Sequence, residues 1–334
     1  MLQRIPIILN SSQLLDYAIK KSKKIEVYDT NANYKIKKTI ISRTESFSSI
    51  IFSKLEQYVK GFPTIDKLPS FYQELIDIKI SVDKLRESIG AVDWARKTCM
   101  RIYVSQSKSL KKTSKIDFLK QKQKEIYGRI SSVVKQVDKN LNLMANAQRL
   151  INKFPDIQDI PTIVISGYPN VGKSSLLRLL SSAKPKIAQY PFTTQQIYVG
   201  HLLRTKNHIT QKYQIIDTPG LLDRPLSEKN EIEKQAIAAL RHLADIIIFI
   251  SDPSETCGYL LDDQLHMLSQ IKGIFKEIPF IIVENKVDLK KTNSTNIKIS
   301  CEKKHGLDEL VTEIYDQMDK LIPTAKYENA GAGI

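Results

Sequence analysis

The sequence predicts two domains of different class: an all-α helical bundle over residues 1–155, then an α/β domain over residues 156–325 with a mostly parallel six-stranded sheet and helices on both faces. Three observations carry this expectation. In the first half apolar residues recur at three and four positions, the helical period, as in Leu119, Ile126, Ile130, Val133, Val137, Leu141 and Met144. In the second half short apolar runs alternate with helical stretches, which is the pattern of a parallel sheet. The charge is also divided: residues 1–160 hold 30 Lys+Arg against 16 Asp+Glu, a net of +14, whereas residues 161–334 hold 21 against 20, a net of +1.

Helices are expected near residues 12–24, 43–58, 69–106 and 117–153, packing as a bundle of three to five. Gly61-Phe62-Pro63 and Leu68-Pro69 interrupt the period, and Pro69 suits a helix start because its missing N–H would have no intrahelical partner there. Residues 105–115, SQSKSLKKTSK, read as a serine-rich loop joining the two longest helices, its four lysines either solvated or in contact with phosphate. In the second half strands are expected at residues 162–166, 197–203, 213–217, 245–251, 279–284 and 296–300. Helices are expected at residues 173–180, 231–243, 260–275 and 307–321. No helix separates the second strand from the third, so these should form an antiparallel edge hairpin. Residues 154–161 read as the linker, and residues 326–334 as a disordered tail or an expression remnant.

Composition narrows the function classes. The longest apolar runs, Ile246–Ile250 and Pro279–Val283, are far shorter than the roughly 20 residues needed to span a bilayer, so no membrane segment is expected. The opening residues MLQRIPIILN show neither the longer apolar core nor the cleavage site of a secretory signal, so export is not expected. Cys99, Cys257 and Cys301 are scattered, without metal-ligand spacing or a disulfide framework, which fits a reducing cytoplasm. The one-sided positive charge suggests a polyanionic partner, nucleic acid before membrane.

The chemistry is concentrated in the second half. Gly167-Tyr168-Pro169-Asn170-Val171-Gly172-Lys173-Ser174-Ser175 follows an expected strand and opens an expected helix, the context in which this spacing forms a phosphate cradle. Backbone N–H groups curl inward at phosphate oxygens, and the helix N-terminus adds its positive end. Lys173 would neutralise the β- and γ-phosphates, and the Ser174 hydroxyl would ligate Mg²⁺. Further on, Asn285-Lys286-Val287-Asp288 follows a buried strand. An aspartate there can accept from guanine N1–H and the 2-amino group, neither of which adenine offers, so GTP and GDP are the expected nucleotides. Asp217-Thr218-Pro219-Gly220 ends another strand. Its carboxylate can reach Mg²⁺ through water, while the Gly220 N–H faces the γ-phosphate and senses nucleotide state. Between them, Tyr190-Pro-Phe192-Thr193-Thr194 offers Thr194 as a further Mg²⁺ ligand and γ-phosphate contact, with Thr193 as the alternative.

The order GYPNVGKSS, YPFTT, DTPG, NKVD and Ser300-Cys301-Glu302 is similar to the Obg-related branch of the translation-factor-class GTPases. Residues 198–201, 217–225 and 254–259, reading YVGH, DTPGLLDRP and SETCGY, more specifically resemble the Nog (nucleolar GTP-binding) family in its compact archaeal form. Residues 61–63, 69–71 and 74–77 resemble that family's N-terminal helical domain. The resemblance implies a P-loop GTPase domain acting as a nucleotide switch in large ribosomal subunit assembly. It also implies that the helical domain touches ribosomal RNA on a pre-ribosomal particle. Ser300 and Cys301 would then close over guanine O6 with a backbone N–H. A GTP-dependent RNA-binding scaffold and a signalling GTPase with protein partners are the alternatives.

Leu221 stands where Ras-like enzymes carry the glutamine that orients the attacking water, so hydrolysis is expected to be slow without help. That help would come from a protein or RNA activator or from a monovalent cation, with Asn170 a candidate ligand for K⁺. Lys173, Thr194 and Gly220 are the expected catalytic groups. Arg224 reads as a salt-bridged switch residue before an internal arginine finger. His201, His208, His242, His266 and Cys257 read as packing or surface residues.

Overall fold

The computed structural model describes residues 4–155, 157–190, 196–206, 208–223 and 229–321. Helix α1 (Ser11–Lys23) starts at Asn10, whose side chain accepts from the Gln13 N–H while the Gln13 side chain accepts from the Asn10 N–H. Helix α2 (Ala32–Gly61) ends at the Gly61-Phe62-Pro63 break, and α3 (Ser70–Ile80) begins directly after Pro69. There follow α4 (Val82–Lys112), α5 (Ile116–Gln136) and α6 (Asp138–Ile151).

Several boundaries differ from the sequence reading, and the helix expected over residues 43–58 already begins at Ala32. The single long helix expected over residues 69–106 is two, separated at Ser81, which lies at φ 61 in the left-handed region. The stretch 117–153 is broken at Val137. The expected loop over residues 105–115 is mostly helix: α4 continues to Lys112, held by the buried Gln106 and Leu110, and residues 113–115 alone connect it to α5. Lysine and leucine are good helix formers, so the serine-rich composition did not end the helix.

By packing, the chain divides into two compact units. One comprises the described residues up to Leu68 with Lys79–Asn152; the other comprises Pro69–Ile78 and the described residues from Lys153 onward. The helical unit is centred on Phe47, Ile51, Leu55, Leu85, Leu119 and Ile130, all fully buried. The Phe47 ring stacks on Tyr127 at 4.0 Å between centroids. Long-range polar ties hold its ends, with the Ser11 N–H donating to Asp138 and the Asn152 amide bonding both backbone groups of Ile5.

In the second unit the sheet has seven strands, not six. They are β1 (Thr162–Ser166), β2 (Lys186–Gln189), β3 (Gln196–Lys206), β4 (Ile209–Asp217), β5 (Ile246–Ser251), β6 (Phe280–Glu284) and β7 (Ile297–Lys298), in spatial order β2-β3-β4-β1-β5-β6-β7. The added strand β2 pairs antiparallel with β3, so the β3–β4 hairpin is antiparallel as expected but does not form the edge. Its residues KIAQ are nearly all exposed and carry no apolar alternation, which is why periodicity missed it. Strands β4, β1, β5, β6 and β7 run parallel, and β1 and β5 are buried along their whole length. Helices α7 (Lys173–Leu180), α8 (Glu231–Ala239), α9 (Leu261–Ile274) and α10 (Leu307–Leu321) complete the unit, with α7 packing on β1, β3 and β4 and α9 on β5. No described residue between Asp288 and Ser300 is helical, as their short spacing implied. Within the same unit α3 contributes Tyr72, whose hydroxyl donates to the carbonyls of Pro155 and Ile157. The tail expected at residues 326–334 lies outside the described residues. No helix among the described residues is long and apolar enough to cross a membrane.

Replacing Phe47 by Ala removes a fully buried, stacked ring, and should lower the stability of the helical unit by about 3–5 kcal/mol. Denaturant melts followed by circular dichroism should show the loss as an earlier helical transition; an unchanged midpoint would contradict this packing.

Candidate functional site

The parallel strands deliver their carboxyl ends to one edge of the sheet, where open α/β folds place their ligands. The phosphate loop joins β1 to α7. Asp217 ends β4, Asp252 directly follows β5, Asn285 follows β6, and the turn at Ser300 follows β7.

In the phosphate loop Asn170 sits at φ 62 and Gly172 at φ 109. A Cβ on Gly172 would collide with the Asn285 amide nitrogen, so only glycine lets the two loops close on each other. Lys173 is buried, and its ammonium donates to the carbonyls of Gly167 and Tyr168, both at 2.7 Å. Burial pulls its pKa below the ordinary lysine value, against the attraction of Asp223 and Asp217. The Ser174 hydroxyl donates to Asp217 Oδ2 at 2.6 Å. Burial raises the Asp217 carboxyl above its ordinary range, an effect that the Ser174 hydroxyl and the Lys173 ammonium only partly offset. Its other oxygen, Oδ1, is buried with no hydrogen-bond partner among the described residues.

This donor set fits a hard divalent cation. A hydroxyl and a carboxylate with an unsatisfied buried oxygen are oxygen ligands of the kind Mg²⁺ takes. No group of three or more His, Cys, Asp or Glu able to hold a metal occurs among the described residues, so an ion here would complete its shell with phosphate and water.

Gly220, at φ 76, is held on both sides. Its N–H donates to Asp223 Oδ2 at 2.6 Å and its carbonyl accepts from Lys229 Nζ at 2.7 Å. Leu221 and Leu222 are buried, and the Leu222 carbonyl accepts from the Gly167 N–H and the Ser166 hydroxyl. Pro219 and Thr218 complete the turn, with Thr218 buried.

At the other end, Asn285 is buried and bonds in two directions. Its Nδ2 donates to the Val171 carbonyl at 2.8 Å, and its Oδ1 accepts from the Cys301 N–H at 3.0 Å. Within the turn expected to bring a backbone N–H to guanine O6, the Cys301 N–H is directed at Asn285. Ser300 exchanges backbone hydrogen bonds with His305, and its hydroxyl accepts from the Lys303 N–H. Asp288 is exposed on the same loop.

Lys286, at φ 60, donates to Asp252 Oδ2 at 2.7 Å and to the Thr256 hydroxyl at 2.8 Å. Asp252 was not singled out in the sequence, although an aspartate at the end of the apolar run Ile246–Ile250 and before Pro-Ser was a turn signal. It is fully buried and accepts from Ser254, Thr256, the Cys257 N–H and Lys286. Burial would raise its pKa, but the Lys286 ammonium and the two hydroxyls outweigh it and hold the carboxyl below the ordinary value. Gln264 of α9 ties the same turn, accepting from the Asp252 N–H and donating to the carbonyls of Asp252 and Tyr259. The Tyr259 ring lies against Tyr168 of the phosphate loop, 4.3 Å between centroids. The SETCGY turn therefore supports both the phosphate loop and the Asp288 loop.

Other candidates resolve as packing. Tyr190 is fully buried with its hydroxyl on the Ala236 carbonyl. Burial raises the Cys257 thiol and lifts Cys301 to about 11, so neither is a thiolate near neutral pH. Phe192, Thr193, Thr194 and Arg224 lie outside the described residues.

The comparison with known proteins decides the family. Residues 2–159 match the model of the NOG1 N-terminal helical domain, and residues 231–288 match that of nucleolar GTP-binding protein 1. The chain belongs to the nucleolar GTP-binding protein 1 family. It is similar to an uncharacterized protein of Methanocaldococcus jannaschii, 35% identical over 291 residues that span 86% of this chain and 81% of that one. It is also similar to nucleolar GTP-binding protein 1 of Drosophila melanogaster, 30% identical over 291 residues spanning 86% of this chain and 44% of the fly protein. The chain thus spans less than half the length of that family member. Among solved structures, the putative nucleolar GTP-binding protein 1 of Plasmodium falciparum is 32% identical, with a TM-score of 0.43, covering 50% of this chain and 91% of that one. The helical unit followed by a mostly parallel sheet with a phosphate loop is the P-loop GTPase architecture that the sequence predicted.

Asp252→Ala would leave the Lys286 ammonium and the Cys257 N–H without their acceptor. A loss of about 1–3 kcal/mol is expected, read as a lower melting temperature, with Asp252→Asn intermediate. Equal melting of all three proteins would remove Asp252 from this role.

Proposed function

We propose that the chain is a Mg²⁺-dependent GTPase that binds and hydrolyses GTP as a nucleotide switch in assembly of the large ribosomal subunit, its basic helical domain contacting ribosomal RNA. The observation that carries the nucleotide reading is the pair of hydrogen bonds made by Asn285. It fixes the Asp288 loop against the phosphate loop, so one ligand can be held by its phosphates and read at its base.

In this reading residues 167–175 wrap the phosphates with backbone N–H groups, and Lys173 exchanges its two carbonyl partners for β- and γ-phosphate oxygens. Ser174 and Asp217, with Thr194, would hold Mg²⁺, which when bound would supply positive charge for phosphoryl transfer. The Gly220 N–H turns from Asp223 to the γ-phosphate, so the contact that Asp223 gives up reports the nucleotide state. Asp288 accepts from the two guanine donors, and the Ser300–Cys301 turn closes over O6.

Leu221 is fully buried and offers no group to orient water, so the chain's own turnover is slow, on the order of 10⁻⁴–10⁻² s⁻¹. A protein or RNA activator on the pre-ribosomal particle, or K⁺ held with the help of the exposed Asn170, supplies what is missing. The ribosomal assignment is supported by the name of the relatives, which places them in the nucleolus, and by the net +14 on residues 1–160. The three free cysteines suit the cytoplasm. The buried Leu221 also favours a second reading, in which GTP gates RNA binding and hydrolysis is incidental.

Large-subunit precursor particles should raise GTP turnover by an order of magnitude or more over the chain alone, and K⁺ should exceed Na⁺. RNA binding that needs GTP, with no stimulated turnover, would favour the scaffold. No effect of particles on either would end the ribosomal assignment.

A further inference from the structure

The positive charge of the helical unit is concentrated at one pole. Helix α4 ends there and α2 and α5 begin there, while α1 ends about three turns along α2 and α5 and residues 24–31 lead from it to the same end. Tyr127 of α5 donates to Ser22 at the end of α1 and to the Arg43 carbonyl of α2, and Lys37 of α2 donates to Ser114 between α4 and α5 at 3.4 Å. Residues 20–38 hold seven lysines against Glu26 and Asp29, and residues 108–124 hold seven against Asp117. Together they supply a net +11 of the +14 carried by residues 1–160. Among the described residues, ion pairs engage two of these lysines, Lys38 with Asp29 and Lys122 with Glu125.

Helix electrostatics explains part of this charge. Lys20, Lys21 and Lys23 in the last turn of α1, and Lys111 and Lys112 in the last turn of α4, sit at negative helix ends where cations are favourable. It does not explain Lys35 and Lys37 at the start of α2, which has no acid in its first turn, or Lys115 at the N-cap of α5, where it makes no capping bond. Lys35 in the first turn of α2 and Lys115 at the N-cap of α5 sit at positive helix ends, where a lysine is unfavourable for folding. Between the same two helix starts lies a groove of about 350 Å³ lined by Asn31, Asn33, Tyr34, Lys37, Ser114 and Ile116. The rings of Tyr34 and Tyr28 stand 55% and 86% exposed at this end. Clustered lysines interleaved with exposed rings, amides and a hydroxyl match a polyanion that also presents flat bases and 2′-hydroxyls. An acidic protein surface would also use the lysines, but it offers the rings no bases to stack on.

We infer that this pole is the RNA-contacting surface of the chain, with Lys35, Lys37 and Lys115 on phosphates and Tyr28 and Tyr34 stacked on unpaired bases. The inference rests on the reading that the chain acts on ribosomal RNA, and it names the surface that does so.

The test is binding of purified large-subunit ribosomal RNA to the full chain across a salt series. Three variants are compared: K35E/K37E/K115E at the pole, Y28A/Y34A, and K84E/K135E/K139E. The last makes the same charge change at exposed lysines near the far ends of α4, α5 and α6. The pole charge variant should lose affinity tenfold or more and flatten the salt slope by about 2, as expected for three lost phosphate contacts to unpaired strands. The tyrosine variant should lose affinity with the slope unchanged, and the far-end variant should bind within about threefold of the parent. K35Q/K37Q/K115Q, which adds no negative charge, should show the same loss in reduced degree. Equal losses from pole and far-end variants, or none at the pole, would overturn this surface while leaving RNA binding intact. If the parent chain binds no ribosomal RNA, the underlying reading falls together with the surface.

Discussion

The second unit depends on one side chain that has to satisfy two loops at once. Asn285 is buried between the phosphate loop and the turn after β7, donating to the Val171 carbonyl and accepting from the Cys301 N–H. An unsatisfied buried amide would cost on the order of 1–3 kcal/mol, so the three loops hold one another in register. The tight approach is possible because residue 172 has no Cβ. From this junction the rest of the site is placed: Asp288 three residues beyond Asn285, Lys173 and Ser174 directly after Gly172, and Asp217 against Ser174.

The electrostatics of the site follow from burial. Lys173 and Asp217 are both withdrawn from water, and their pKa values are pushed toward the neutral forms, the lysine downward and the aspartate upward. Phosphate beside the ammonium and a divalent cation beside the carboxylate would each restore the charged form, which gives the bound nucleotide leverage over local order. Asp223 is part of the same balance. Its carboxylate holds the Gly220 N–H and lies close enough to Lys173 and Asp217 to influence both, so an incoming γ-phosphate competes with it for shared donors.

Much of the candidate site was legible because the residues that phosphate and guanine recognition would demand stand in a fixed chain order at strand ends. GYPNVGKSS, DTPG and NKVD needed only an alternating strand and helix pattern to be placed correctly. What escaped lacked a periodic or spacing signal. Strand β2 is an exposed tetrapeptide defined by its pairing with β3, and Ser81 breaks a helix through a backbone angle that serine does not advertise. Residues 105–112 looked like a loop by composition but are fixed as helix by the burial of Gln106 and Leu110. Asp252 matters through partners five residues away and farther, Cys257 and Lys286, that converge only in the fold. The division of charge between the halves was plain in composition, whereas its gathering at one pole required the antiparallel order of α1, α2, α4 and α5.

The central claim is that the junction at Asn285 presents Asp288 to guanine. Calorimetric titration of the chain and of Asp288→Asn with GDP, XDP and ADP in Mg²⁺ tests it most directly. Two hydrogen bonds from guanine donors to a carboxylate are worth about 3–6 kcal/mol. The parent chain should therefore bind GDP and not ADP, and the variant should lose GDP by about 10²-fold or more while gaining XDP, whose 2-carbonyl suits an amide donor. Comparable binding of ADP and GDP by the parent, or an unchanged GDP affinity in the variant, would contradict the account.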